Sequence, residues 1–135
     1  MLTIIDTSVA VKWFLAGNEP RRKEALAVLE NLTAEPRGYA VPELFFNEML
    51  AVFCRLLSDA SEIKEYMSIL EQLGLERIGN GSQLLKRAAE IAKVSGISGY
   101  DATFAAAAAL VEGVWLTADK AAVRKLRNAD FVKLL

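Results

Sequence analysis

Leu2-Thr3-Ile4-Ile5-Asp6-Thr7-Ser8 begins as an apolar run and stops at an acid followed by two hydroxyl residues. A short run bounded this way reads as a buried strand leading into a turn or a helix start. The same order returns at Val114-Trp115-Leu116-Thr117-Ala118-Asp119, a strand followed by an acid. Between the two, the pattern alternates. Ala25, Leu26, Val28, Leu29 and Leu32 keep helical spacing after Arg21, and Pro36-Arg37-Gly38 ends that helix. Residues 39–41 read as a strand, and Pro42 suits the first turn of the helix predicted over 43–57. A helix over 61–73 has Asp59 and Glu62 in capping-box positions and closes at Gly74. Residues 75–78 read as a strand, 82–94 and 100–112 as helices, 119–127 as a basic helix and 131–135 as a last strand. Strands alternating with helices imply βαβ units and a largely parallel sheet, hence a single α/β domain.

The composition agrees and narrows the chemistry. The chain has 135 residues, 53% apolar and 24% charged, with net charge −1. That suits one folded domain and is too apolar for a disordered segment. The longest uncharged run, residues 102–111, is ten residues, whereas a membrane-spanning helix needs about 20. The start has no basic segment before Asp6, which is unlike a secretory signal, so the expectation is a cytoplasmic chain with no membrane partner. There is no histidine, which excludes His general bases and His-ligated zinc. The lone Cys54 excludes an intrachain disulfide and a thiolate cluster. Carboxylates, hydroxyls, lysines and a hard metal ion remain.

Four acids occupy unusual places. Asp6 and Asp119 each follow a strand, where an acid can cap the next helix or line the crevice beyond the strand ends. If the two strands are neighbours, the acids converge. Glu48 has Leu44, Phe45, Ala51 and Val52 at spacings of three and four, so it interrupts an apolar stripe. A buried carboxylate must be paired, hydrogen-bonded or bound to a cation, although a surface glutamate at a helix rim fits the same spacing. Asp101 is the only charge in residues 94–111 and begins a helix, so a cap, a dipole partner or a site ligand all fit. Oxygen-only ligands of this kind suit Mg²⁺ or Mn²⁺.

With those residues in view, the chain resembles the PIN-domain ribonucleases, in particular the small VapC-type toxins of prokaryotic toxin–antitoxin pairs. The likeness is carried over nearly the whole length by Ile4-Ile5-Asp6-Thr7-Ser8-Val9-Ala10-Val11-Lys12-Trp13-Phe14, Val41-Pro42-Glu43-Leu44 with Asn47-Glu48, Tyr100-Asp101-Ala102, and Leu116-Thr117-Ala118-Asp119. It implies one PIN-like domain over 1–135, three layers α/β/α around about five short strands. It also implies that Asp6, Glu48, Asp101 and Asp119 bind one or two Mg²⁺ or Mn²⁺ ions and carry catalysis. Thr7, Ser8 and Thr117 fall where hydroxyls support that site, and Asn47 falls beside its glutamate. The activity implied is metal-assisted hydrolysis of RNA phosphodiester bonds. The implied partners are a second copy of the chain and a small antitoxin covering the acidic pocket. The five alanines 105–109 depart from the mixed aromatic and leucine helix usual in the family.

RNA requires counter-charge. The candidates are Lys12 and the helix with Lys120, Arg124, Lys125 and Arg127, which follow site acids closely in sequence and fit either a substrate contact or a solvated face; Lys86-Arg87 is a further candidate, and Arg21-Arg22-Lys23 reads as a solvated face. The apolar residues spread around 44–57 fit either a deeply buried helix or an interface. Two rival enzymes are disfavoured. A phospho-aspartyl phosphatase wants a second acid where Ser8 stands, and a phospho-receiver wants paired acids after its first strand. The remaining alternative is a catalytically weak PIN scaffold that binds protein or RNA.

Overall fold

The computed structural model describes residues 1–15 and 17–135. In chain order it contains β1 (Thr3–Ile5), α1 (Thr7–Phe14), α2 (Arg22–Ala34), a 3₁₀ turn (Pro36–Gly38), β2 (Tyr39–Pro42), α3 (Leu44–Leu56) and α4 (Ala60–Gln72). There follow β3 (Glu76–Ile78), α5 (Ser82–Ser95), α6 (Gly99–Leu110), β4 (Val114–Thr117), α7 (Lys120–Lys125) and β5 (Val132–Leu134). All four strand pairings are parallel, in the order β3-β2-β1-β4-β5. The result is the three-layer α/β fold expected, with a sheet that is parallel throughout.

Burial explains which strands are central. Ile4, Ile5, Trp115, Leu116, Ala40 and Val41 are buried, as strands covered on both faces require. Edge strand β3 instead exposes Glu76 and Arg77. The alanine run packs as expected: α6 buries Ala102 through Ala108 against α5 and the three middle strands β1, β2 and β4. Gly113 leads into β4 against the neighbouring β1 end, where Val114 N–H donates to the Leu2 carbonyl at 3.0 Å. A Cβ at position 113 would lie 2.2 Å from that same oxygen, so only glycine lets the two backbones meet.

Three local expectations are corrected. Pro42 is the last residue of β2, not the first turn of a helix. A strand end tolerates its missing N–H, and Glu43 N–H resumes the ladder by donating to Ile78 O at 3.0 Å. The capping box is only half formed, with Asp59 accepting from Ser61 N–H and no reciprocal bond from Glu62 among the described residues. The basic helix ends at Lys125, because Arg127 and Asn128 turn to left-handed φ of 53° each. Among the described residues, no helix is long and apolar enough to cross a membrane.

Candidate functional site

The strand order reverses between β2 and β4 on either side of β1, and such switch points open a crevice beyond the strand ends. β1 and β4 are direct neighbours, with Ile5 opposite Leu116, so the acids that follow them converge. Asp6, Glu48, Asp101 and Asp119 all line one cleft of about 340 Å³, joined by Thr7, Ser8, Ala51, Val52 and Arg55. Other clefts are as large or larger, and it is the donor chemistry that singles this one out.

Asp6 lies at its buried centre. Its Oδ1 accepts from the Trp115 indole N–H at 3.0 Å. Its Oδ2 accepts from Ser8 N–H at 3.1 Å, from Thr117 Oγ1 at 3.2 Å and from the Ser8 hydroxyl. Four donors match the roughly four lone-pair positions of one carboxylate. Burial pushes the Asp6 carboxyl above its usual range, and these bonds pull it partly back. Thr117 is fully buried and relays the network outward, accepting from Asp119 N–H at 3.1 Å, while Ser8 Oγ accepts from Ala118 N–H at 3.0 Å. Asp6 is therefore both a helix cap and a member of the acidic cluster.

The other three acids arrive from separate elements. Glu48 is half-buried on α3, and the Thr7 hydroxyl donates to its Oε1 at 2.7 Å, joining α1 to α3. Burial raises its pKa, the Thr7 bond lowers it, and the charges of Asp6 and Asp101 raise it again. Asp101 is not the cap of its helix. Ser98 caps α6, accepting from Asp101 N–H at 3.0 Å, so the Asp101 carboxylate is not spent on capping. Its pKa is raised by burial and then by the charges of Asp6 and Asp119; the Ser98 bond and the nearby Lys125 lower it. Asp119 is exposed and caps α7, accepting from Ala121 N–H at 2.9 Å and Ala122 N–H at 3.1 Å.

The remaining sequence candidates sort unevenly. Thr7, Ser8 and Thr117 join the cluster, but Asn47 is exposed outside the cleft. Lys12 is buried, its ammonium held by Glu19 Oε1 at 3.0 Å and by the Pro20 carbonyl at 2.6 Å. Lys120 lines a neighbouring cleft of about 480 Å³ together with Lys12 and Arg21, and Arg124 is exposed on α7. Two participants escaped the sequence reading. Arg55 stands two turns after Glu48, a spacing that returns to the same helix face, and that was the available signal. Trp115 had none, since its partner Asp6 is 109 residues away.

The cluster offers only oxygen ligands and an excess of negative charge, which suits a hard divalent cation. Among the described residues no three carboxylates stand close enough to enclose one ion as arranged. Mg²⁺ tolerates such an open set, because it keeps several waters and takes one or two direct carboxylates. Burial first, and then the charges of neighbouring acids, raise the proton affinities of Glu48 and Asp101.

A parallel α/β sheet with an acidic cluster at its switch point defines the class. The chain belongs to the PIN domain family, whose sequence profile matches residues 3–128. Solved structures share the fold over nearly the whole chain. One is a toxin–antitoxin complex from Klebsiella pneumoniae, with TM-score 0.73 and 16% identity, covering 97% of this chain and 95% of that one. Another is FitAcB from Neisseria gonorrhoeae, with TM-score 0.70 and 18% identity, covering 99% and 96%. A third is VapBC2 from Rickettsia felis bound to a DNA fragment from its promoter, with TM-score 0.68 and 15% identity, covering 100% and 98%. No curated protein matches the chain in sequence.

Proposed function

We propose that the chain, taken as one PIN domain over 1–135, is a metal-dependent endoribonuclease and the toxin of a toxin–antitoxin pair. The observation that carries the reading is the meeting of Asp6, Glu48, Asp101 and Asp119, from four separate elements, in one cleft with hydroxyls behind them. PIN family membership and structural kinship to toxin–antitoxin complexes support it. The four carboxylates are the ligands for one or two Mg²⁺ or Mn²⁺ ions, with Thr7, Ser8 and Thr117 orienting them and Asn47 beside the glutamate. When bound, such a cation lowers the pKa of the attacking water and offsets charge on the phosphate and its leaving oxygen.

The chain's own residues do the rest. Trp115, Ser8 and Thr117 fix the direction of the Asp6 carboxylate, and Thr7 fixes that of Glu48. Asp101 lines the cleft with a carboxylate that is not used to cap its helix, so it is placed to take the water's proton. Arg55 at the cleft wall and Lys125 near Asp101 supply the cationic contact to an RNA phosphate, extended by Lys120 and Arg124. Lys12 contributes as the buried clamp on residues 19–20 in the cleft that it shares with Lys120.

Leu50, Leu56 and Ile69 on α3 and α4 are 41%, 53% and 41% exposed, which supports a homodimer and an antitoxin contact on that surface. The test is cleavage of single-stranded and structured RNA by purified chain in Mg²⁺ or Mn²⁺. Activity should stop with EDTA and fall at least about 100-fold in Asp101→Asn, with the fold retained. Unchanged cleavage in that variant would move the activity elsewhere, and a metal-indifferent RNA binder would return the scaffold reading.

A further inference from the structure

Beside the acidic cleft lies a second cavity of about 380 Å³, walled by Leu44, Leu85, Tyr100 and Thr103, with Asn80 at its edge. We propose that it holds an unpaired nucleobase of the RNA strand whose phosphate lies at the acidic cluster, with the base stacked on Tyr100. The inference rests on the nuclease reading above and adds where the strand is gripped.

Two elements run from one cavity into the other. On α3, Leu44 lines the base cavity, and Glu48, one turn or about 5.4 Å further on, lines the acidic cleft. On α6, Tyr100 lines the first and Asp101, the next residue, lines the second. A nucleotide with its phosphate among the acids therefore has this cavity within reach of its base along both elements. Tyr100 is 66% exposed, and among the described residues no other aromatic ring stacks on it. A large aromatic left open beside a polar centre is unusual, and single-stranded nucleic acid is gripped by such rings because every base has a π-face. Leu85 is 47% exposed and offers an apolar wall.

The polar groups are as selective as the apolar ones. The Thr103 hydroxyl donates to the Gly99 carbonyl at 2.8 Å, and Ser98 Oγ accepts from Asp101 N–H while its hydroxyl serves the Asp101 carboxylate, so both are engaged within α6. That leaves the exposed Asn80 side chain, which carries both a donor and an acceptor for a base edge. A mostly carbon-lined cavity with one amide at its mouth suits a flat heterocycle better than a phosphate or an ion.

The experiment compares binding of a short fluorescein-labelled oligoadenylate with that of an abasic oligomer of the same length. Ca²⁺ replaces Mg²⁺, and the oligomers are checked to be intact. Tyr100→Ala should weaken oligoadenylate binding about tenfold or more. Tyr100→Phe should stay within about twofold, because the ring is kept. The abasic oligomer should bind the parent chain and Tyr100→Ala equally. Equal oligoadenylate affinity in the parent and Tyr100→Ala would overturn the proposal, as would an equal loss on the abasic oligomer. Cleavage measured in Mg²⁺ separates the two levels. If the parent cleaves RNA while Tyr100→Ala binds as well as it does, the base site fails and the nuclease stands. A parent chain that neither binds nor cleaves RNA ends both.

Discussion

The β1–α1 junction and the β4–α7 junction obey the same sequence rule and end in opposite environments. Each is a strand, then an acid, then a helix whose first N–H groups that acid accepts. Asp6 follows its strand immediately and is buried under four donors, two of them from the neighbouring strand. Asp119 stands one residue further out, past Ala118, and is exposed with only backbone donors of its own helix. One added residue separates a buried anchor from an exposed cap at the cleft. Capping and site membership are thus compatible roles, and the surroundings decide how much stability each acid carries.

Substitutions at the two junctions should separate accordingly. The largest effect is expected for Asp6→Ala, which strips an acceptor from the buried Trp115 N–H and Thr117 hydroxyl. Chemical denaturation should show a loss of about 3 kcal/mol. A loss below that of the equivalent change at Asp119 would break the comparison. Trp115→Phe keeps an aromatic ring beside Phe104 but removes the indole donor and part of a fully buried ring system. It should cost about 2 kcal/mol, a lost hydrogen bond to a charged group together with lost packing. Asp119→Ala should cost about 1 kcal/mol, the worth of a helix cap, and Asp119→Asn should restore most of it because asparagine also caps. Metal affinity should stay low in both, which divides the cap from the ligand.

The smallest effect concerns pH. Asp6, Glu48 and Asp101 have folded pKa values above their ordinary range, so the folded chain binds protons that the unfolded chain has released. Without metal, stability should therefore be fully present below the ordinary carboxylate range near pH 4 and decline as pH rises through the elevated values. Melting temperature followed across pH in EDTA should fall in that direction, and less steeply in Asp101→Asn. A metal-free melting temperature that rises over the same interval would contradict the burial and repulsion argument.

Much of this was legible in the sequence because it is local. Apolar runs at 2–5 and 114–117 announce buried strands, and the alanines at 105–109 announce a closely packed helix. Asp6, Glu48, Asp101 and Asp119 stand out because each carries charge where its neighbours are apolar or where a strand has just ended. What escaped is non-local or competitive. Asp101 reads as a cap until Ser98 is seen to take that place, and Pro42 reads as a helix start until β3 supplies the ladder it ends. Lys12 looks available in sequence, yet a partner seven residues on draws it inward. The Trp115–Asp6 bond depends on β1 and β4 being neighbours, a fact that spacing alone does not encode.

The central claim is that four acids from four elements form one cation site. Calorimetric titration of Mn²⁺ into the parent chain and into Asp6→Asn, Glu48→Gln, Asp101→Asn and Asp119→Asn tests it most directly. The expected result is saturable binding of one or two ions by the parent, weakened by about tenfold or more in each variant that remains folded. Parent-like Mn²⁺ affinity in folded Asp101→Asn and Glu48→Gln would contradict it.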